Sequence, residues 1–214
     1  MTRTPTGRQR GSPNPRQKRD TQVCWVNVGR SSPCHIAALA VAFDNKMDVI
    51  CVQEPFTCEG SKTSTHPGYR HFSPVDLWDH TDDTTRPRVM TYIRKDNSLR
   101  AQQRESTNSR DMLWTDINGY SILNAYRQPQ TPEVIAYLTT LSPPQRCLIG
   151  GDMNARHETF EPGSISAHGG AALARWATES GMDYWGTWPG NAQGRACARP
   201  YLHEHPLRTN NGQT

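Results

Sequence analysis

The sequence is short of apolar residues: they make up 34% of its 214 positions, and the mean hydropathy is −0.79. A core can still form in one domain of this length, but part of the chain is expected to stay outside it. Closely spaced cysteine pairs are lacking, which argues against a zinc site of the finger type. Cys24, Cys51 and Cys147 lie instead within apolar runs, as reduced core thiols of an intracellular protein would. No apolar run approaches the length of a membrane span, and no hydrophobic signal region opens the chain. A glycine-rich nucleotide-binding loop and a reverse-transcriptase motif are also missing. A dinucleotide cofactor and a polymerase role therefore have no support.

Positive charge is present, but unevenly. Arg3, Arg8, Arg10, Arg16, Lys18 and Arg19 crowd the start among Pro, Gly, Ser and Thr. Residues 1–22 therefore read as a disordered basic leader, able to touch nucleic-acid phosphates or simply solvated.

Order is expected from Val23 to Val28, a β-type run interrupted only by Asn27. Ser32 and Pro33 then suit a helix start, with Ile36, Leu39, Ala40 and Phe43 at helical spacing as its apolar face. A second strand, Asp48 to Gln53, ends at Glu54-Pro55. Strand, helix and strand in so short a span predict a layered α/β fold. Residues 57–87 read as a long polar surface loop around Tyr69 to Phe72. Its acidic group (Asp76, Asp79, Asp82, Asp83) is taken as solvated rather than cation-binding.

Val89 to Ile93, Met112 to Ile117 and Tyr120 to Tyr126 predict three antiparallel strands, with Asn118-Gly119 as a hairpin turn between the last two. A helix opens at Thr131-Pro132-Glu133, with Val134, Leu138 and Leu141 on one side, and stops at Pro143-Pro144. The run Cys147 to Ile149 ends in Gly150-Gly151 and delivers Asp152 and Asn154. Extended chain would point both side chains the same way, toward a cation, a phosphate oxygen or a water; an Asx-type turn is the competing reading. His168 to Ser180 predicts a last helix, with Leu173, Trp176 and Ala177 inward and Gly181 after its end.

One polar residue thus sits in or after each of several strands: Asn27, Glu54, Tyr126 and the Asp152/Asn154 pair. The pattern Asn27, Gln53-Glu54, Asn124-Ala125-Tyr126 and Gly151-Asp152-Met153-Asn154-Ala155 resembles the endonuclease/exonuclease/phosphatase superfamily. Cys51-Val52-Gln53-Glu54-Pro55 and Asn124-Ala125-Tyr126-Arg127-Gln128-Pro129 are similar to the apurinic-type endonuclease domain of non-LTR retrotransposons, common in fungal genomes. The likeness runs from about Val23 to Met182.

It implies a four-layered α/β sandwich, two β-sheets flanked by helices, that hydrolyses phosphoesters with Mg²⁺ or Mn²⁺. By position, Glu54 would bind the metal with Asn27 beside it, and oxygen ligands suit such an ion. Tyr126 would donate a hydrogen bond to the pentacovalent phosphorus. Asp152 would position or deprotonate the attacking water, and Asn154 would hold a phosphate oxygen. Arg127, Arg156 and His157 are weaker candidates for substrate binding, His157 reading first as a turn residue. DNA, through its phosphate backbone, is the partner implied, and a nuclear location follows from the likeness and the basic leader.

Two later motifs of that family, an aspartate in a strand and a final Ser-Asp-His, have no counterpart here. His203 and His205 lie in a stretch without apolar period and make a poor metal pair. Residues 23–189 are expected to form the domain and 190–214 an irregular tail. Reading Asn191 to Arg208 one nucleotide later allows an Asp-Leu-Thr motif, so a one-base frameshift near Gly190 is the expectation. The second sheet would then lack strands, leave an edge exposed and lose its general base. The expectation is a defective DNA-nicking domain of retrotransposon origin. The alternatives are a non-catalytic nucleic-acid-binding relic on the same scaffold and a phosphatase of the same superfamily.

Overall fold

The computed structural model describes residues 20–104 and 109–184. Nearly all of the expected leader and the whole of the 190–214 tail, with His203 and His205, lie outside these residues. The elements run β1 (Val23–Asn27), α1 (Ser32–Asp44), β2 (Val49–Gln53), β3 (Thr57–Cys58), β4 (Lys62–Thr63), β5 (Tyr69–Phe72), β6 (Val89–Arg94) and β7 (Ala101–Gln103). They continue with β8 (Met112–Ile117), β9 (Tyr120–Tyr126), α2 (Glu133–Thr140), β10 (Cys147–Asp152) and α3 (Gly170–Glu179).

Two four-stranded sheets form, in the orders β1-β2-β6-β5 and β10-β9-β8-β7, with β3 and β4 as a separate small ribbon. Each sheet joins one parallel pair, β1 with β2 and β9 with β10, to antiparallel neighbours. Period-two alternation then sorts the side chains into layers. Cys24, Ile50, Val52, Met90 and Tyr92 face outward onto Leu39 and Ala42 of α1. Val23, Trp25, Val49, Cys51 and Ile93 face inward and meet Ile117, Ile122 and Leu148 of the second sheet. On the far side, Met112, Trp114, Leu123 and Ala125 pack on Val134, Ile135, Leu138, Leu173 and Trp176 of α2 and α3. Helix, sheet, sheet and helices make the four layers expected.

Several local expectations are corrected. Ser31, not Ser32, caps α1, its hydroxyl accepting from the Cys34 N–H, while Pro33 sits in the first turn. The buried side of α1 is His35, Leu39 and Ala42, whereas Ile36 is 55% exposed. Burial of an imidazole is tolerated because Nδ1 accepts from the Phe56 N–H and the ring packs edge-on against Tyr92. The supposed loop 57–87 holds three strands, and Tyr69–Phe72 is the edge strand of the first sheet. β6 pairs with β2 and β5 rather than with the β8–β9 hairpin. The last helix begins at Gly170, not His168, because His168 and Gly169 both have positive φ. Among the described residues Cys24, Cys34, Cys51, Cys58 and Cys147 form no disulfide. Among the described residues no helix is long and apolar enough to cross a membrane.

Candidate active site

Inward-facing positions along β1, β2, β9 and β10 turn polar as those strands reach one end of the sandwich. Asn27 continues the face of Val23 and Trp25, Gln53 that of Val49 and Cys51, and Tyr126 that of Ile122 and Asn124. Asp152 shares its face with Leu148 and Gly150; a Cβ on Gly150 would lie 2.5 Å from the Trp25 ring. In-register pairing of Asn27 with Gln53 and of Asp152 with Tyr126 sets these ends level within each sheet.

Two side-chain bonds then span the sheets. Asn27 Nδ2 donates to Asp152 Oδ2 at 3.0 Å, and the Tyr126 hydroxyl donates to Glu54 Oε1 at 2.9 Å. Glu54 itself leaves the strand at φ 47°, its N–H on the Arg88 carbonyl and its own carbonyl accepting from the Arg30 N–H. Burial raises the Tyr126 phenol far above its ordinary value, aided by the hydrogen bond and charge of Glu54 and the charge of Asp152. It stays a donor throughout the physiological range.

Asn154 does not extend the strand. At φ 44° it closes an Asx-type turn, its N–H on Asp152 Oδ1 at 3.1 Å. Its Nδ2 donates to the Arg127 carbonyl at 2.7 Å, which leaves one amide hydrogen for a ligand. Arg127 is buried, with Nε on the Thr131 carbonyl and Nη1 on the Asn154 carbonyl, so it braces the turn from behind. His157 bonds the Thr159 hydroxyl and N–H, and Arg156 approaches Glu161 at 4.0 Å. Both thus engage their own loop, and neither bonds the Asn27, Glu54, Tyr126 and Asp152 group.

Gln53 and Asn124, beneath the site, belong to the quoted motifs, but the sequence assigns them no role in the site. Gln53 Nε2 donates to Asn124 Oδ1 at 2.6 Å, and Asn124 Nδ2 donates to the Val52 and Met90 carbonyls at 3.1 and 3.0 Å. Buried amides at inward positions of apolar strands were the signal that could have found them. Arg88 and Asp111 were missed too, because they lie in connecting segments. Their charged groups are 3.6 Å apart, and burial raises the Asp111 carboxyl against the pull of Arg88.

The donor set is two carboxylates and two amides. Neither Glu54 nor Asp152 has an ion-pair partner among the described residues. Two half-buried carboxylates without a counter-cation fit a hard divalent ion that keeps several waters. Among the described residues no cluster of three His, Cys, Asp or Glu side chains forms a ready metal cage. An ion would therefore lean on Glu54, on the second lone pair of Asn27 Oδ1 (the first accepts the Gly29 N–H) and on substrate oxygens.

The two-sheet α/β sandwich thus gathers carboxylates, amides and a phenol at one set of strand ends. The chain belongs to the Endonuclease/Exonuclease/phosphatase family, which it matches over residues 24–199. The endonuclease domain of TRAS1, a telomere-specific non-LTR retrotransposon, superposes with a TM-score of 0.57 at 21% identity, over 84% of this chain and 82% of that one. An AP endonuclease from Archaeoglobus fulgidus aligns at 15% identity and a TM-score of 0.48, over 74% and 70% of the two chains. No curated protein sequence matches the chain.

Proposed function

We propose that this site hydrolyses phosphodiester bonds of DNA with the help of a divalent cation, Mg²⁺ or Mn²⁺. The observation that carries the reading is the pair of hydrogen bonds, Asn27 to Asp152 and Tyr126 to Glu54, that unites residues 125 and 72 positions apart on two sheets. Glu54 and Asn27 would hold the cation, which supplies charge stabilisation at the phosphoryl oxygens. Asp152, oriented through both oxygens, aligns the attacking water and draws on its proton. Tyr126 moves its O–H from Glu54 to a phosphoryl oxygen, and the free Asn154 amide hydrogen holds another.

The reaction is slow in this chain. With Glu54 given to the cation, Asp152 is the proton acceptor left to the water among the described residues of the group, and general-base assistance by a dedicated residue is worth roughly 10²–10⁴-fold. Slow turnover is the form that the expected defect takes. A nuclear location accords with this substrate.

Nicking of supercoiled plasmid tests the proposal. Slow nicking with Mg²⁺ that stops in EDTA, and falls at least a hundredfold in Glu54→Gln and in Asp152→Asn, is the expected result. Nicking indifferent to both substitutions overturns the assignment.

A further inference from the structure

Beside the carboxylates lies a group of arginines that hydrolysis does not use. Arg30 follows β1, Arg86 and Arg88 precede β6, and Arg110 precedes β8. Arg30 Nη1 donates to Asp83 Oδ1 at 2.5 Å, Arg86 Nη2 donates to the same oxygen, and Arg110 Nη1 donates to the Asp83 main-chain carbonyl. Asp83, expected to be merely solvated, is thus a hub, while neighbouring Asp82 spends its carboxylate on Thr84.

Counting Arg88 with Asp111, four guanidinium groups gather about two aspartates, three of them on the carboxylates and Arg110 on the Asp83 main-chain carbonyl, among the described residues. Nε of Arg86 and of Arg88 is buried without a partner, and Arg88 is only 4% exposed. The group is anchored to the active site by main chain. Arg30 N–H bonds the Glu54 carbonyl, Glu54 N–H the Arg88 carbonyl, and Tyr126 N–H the Asp111 carbonyl.

We propose that Arg30, Arg86 and Arg110, gathered on Asp83, form a subsite for a second backbone phosphate of the nucleic-acid strand whose scissile phosphate lies at Glu54 and Asp152. The proposal rests on the hydrolytic reading above. Guanidinium forks match phosphate oxygens, and an excess of such forks over carboxylates calls for an anion. A nucleic-acid strand presents phosphates at regular short intervals, so a strand cleaved at one site must place its next phosphate beside it. A small phosphomonoester has no such second group.

Binding of a fluorescent DNA duplex to the full chain in EDTA, followed by anisotropy across a salt series, separates this proposal from catalysis. In Arg86→Gln/Arg110→Gln the affinity is expected to fall about tenfold or more, and the salt slope by about 2. Lys46→Gln/Arg146→Gln removes the same charge from exposed residues before β2 and β10, at the opposite strand ends, and is expected to change affinity less than twofold. Arg30→Gln, at a side chain that is one-third exposed and, among the described residues, bonded only to Asp83 by its guanidinium, serves as an independent single variant with about a threefold loss. Equal losses in both double variants, or no DNA binding by the native chain, overturn the subsite. Specific loss in the arginine variants without any nicking by the native chain keeps the subsite and sinks the hydrolytic reading. Nicking with an unchanged KM in the arginine double variant does the reverse.

Discussion

β2 and β10 do the same job by different means. Each runs parallel to a neighbour and delivers one carboxylate at its end, Glu54 from β2 and Asp152 from β10. β2 lies between β1 and β6 with every residue buried, whereas β10 pairs only with β9 among the described residues and is half-buried throughout. Glu54 is therefore placed by the core and by main-chain bonds to Arg30 and Arg88. Asp152 depends on polar side-chain bonds from Asn27 and on the Asn154 turn. Packing defects should act on β2 through stability, and polar deletions on β10 through activity.

The largest break in that contrast is expected at Gly151. Its φ is 139°, and a Cβ would sit 1.7 Å from the Ala125 carbonyl oxygen, so β10 relies on the bare backbone to reach β9. Gly151→Ala should cost more than about 3 kcal/mol, through backbone strain and displaced main chain. A normal urea midpoint for this variant would contradict the close approach. Next, Ile50→Ala in β2 should cost about 3 kcal/mol through a cavity beneath α1. Nicking per folded molecule should stay unchanged, which denaturation and plasmid assays together can check.

Acid should act through the layer outside the first sheet. Burial, with a smaller contribution from His71, lowers His35 from 6.5 to about 4. The unfolded chain therefore binds the proton that the folded chain refuses. This contribution is complete above about pH 6.5 and declines as pH falls toward about 4. At pH 5 about 2 kcal/mol of it is lost. The urea midpoint should fall between pH 7 and pH 5, and fall less in His35→Phe. Smallest in stability is Asn27→Ala, at about 1 kcal/mol. Freed from its amide partner, Asp152 should nevertheless lose at least tenfold in nicking rate, measured under single-turnover conditions.

The contrast between the two strands also shows which features could be read from residues alone. β2 and β10 were legible because unbroken apolar runs end abruptly in Glu54-Pro55 and Gly150-Gly151. β5 was not, since Arg70 and His71 sit exposed on its outer edge and leave a four-residue strand too polar to stand out. β7, with two glutamines in three residues, hides in the same way. The α1 face was misread because its innermost residue is a histidine whose partner, the Phe56 N–H, arrives from beyond β2. Asn27, Glu54, Tyr126 and Asp152 could be named from pattern, but their pairing into two cross-sheet bonds depends on tertiary register. Asn154 takes the competing Asx-type turn, its N–H on Asp152 Oδ1, and spacing alone does not decide between that turn and extended chain. The arginines around Asp83 come from three separate segments, and no spacing in the sequence unites them.

The Gln53–Asn124 contact has a mechanical consequence. Apolar faces alone resist separation but permit sliding, since one methyl group packs nearly as well as the next. Here any shear of one sheet across the other must break three buried hydrogen bonds made by side-chain amides at once. The sandwich is thus pinned near the strand ends that carry its reactive groups. Thermal motion should loosen the opposite end first and vary the gap between the two carboxylates less than the spacing of the sheets at that far end.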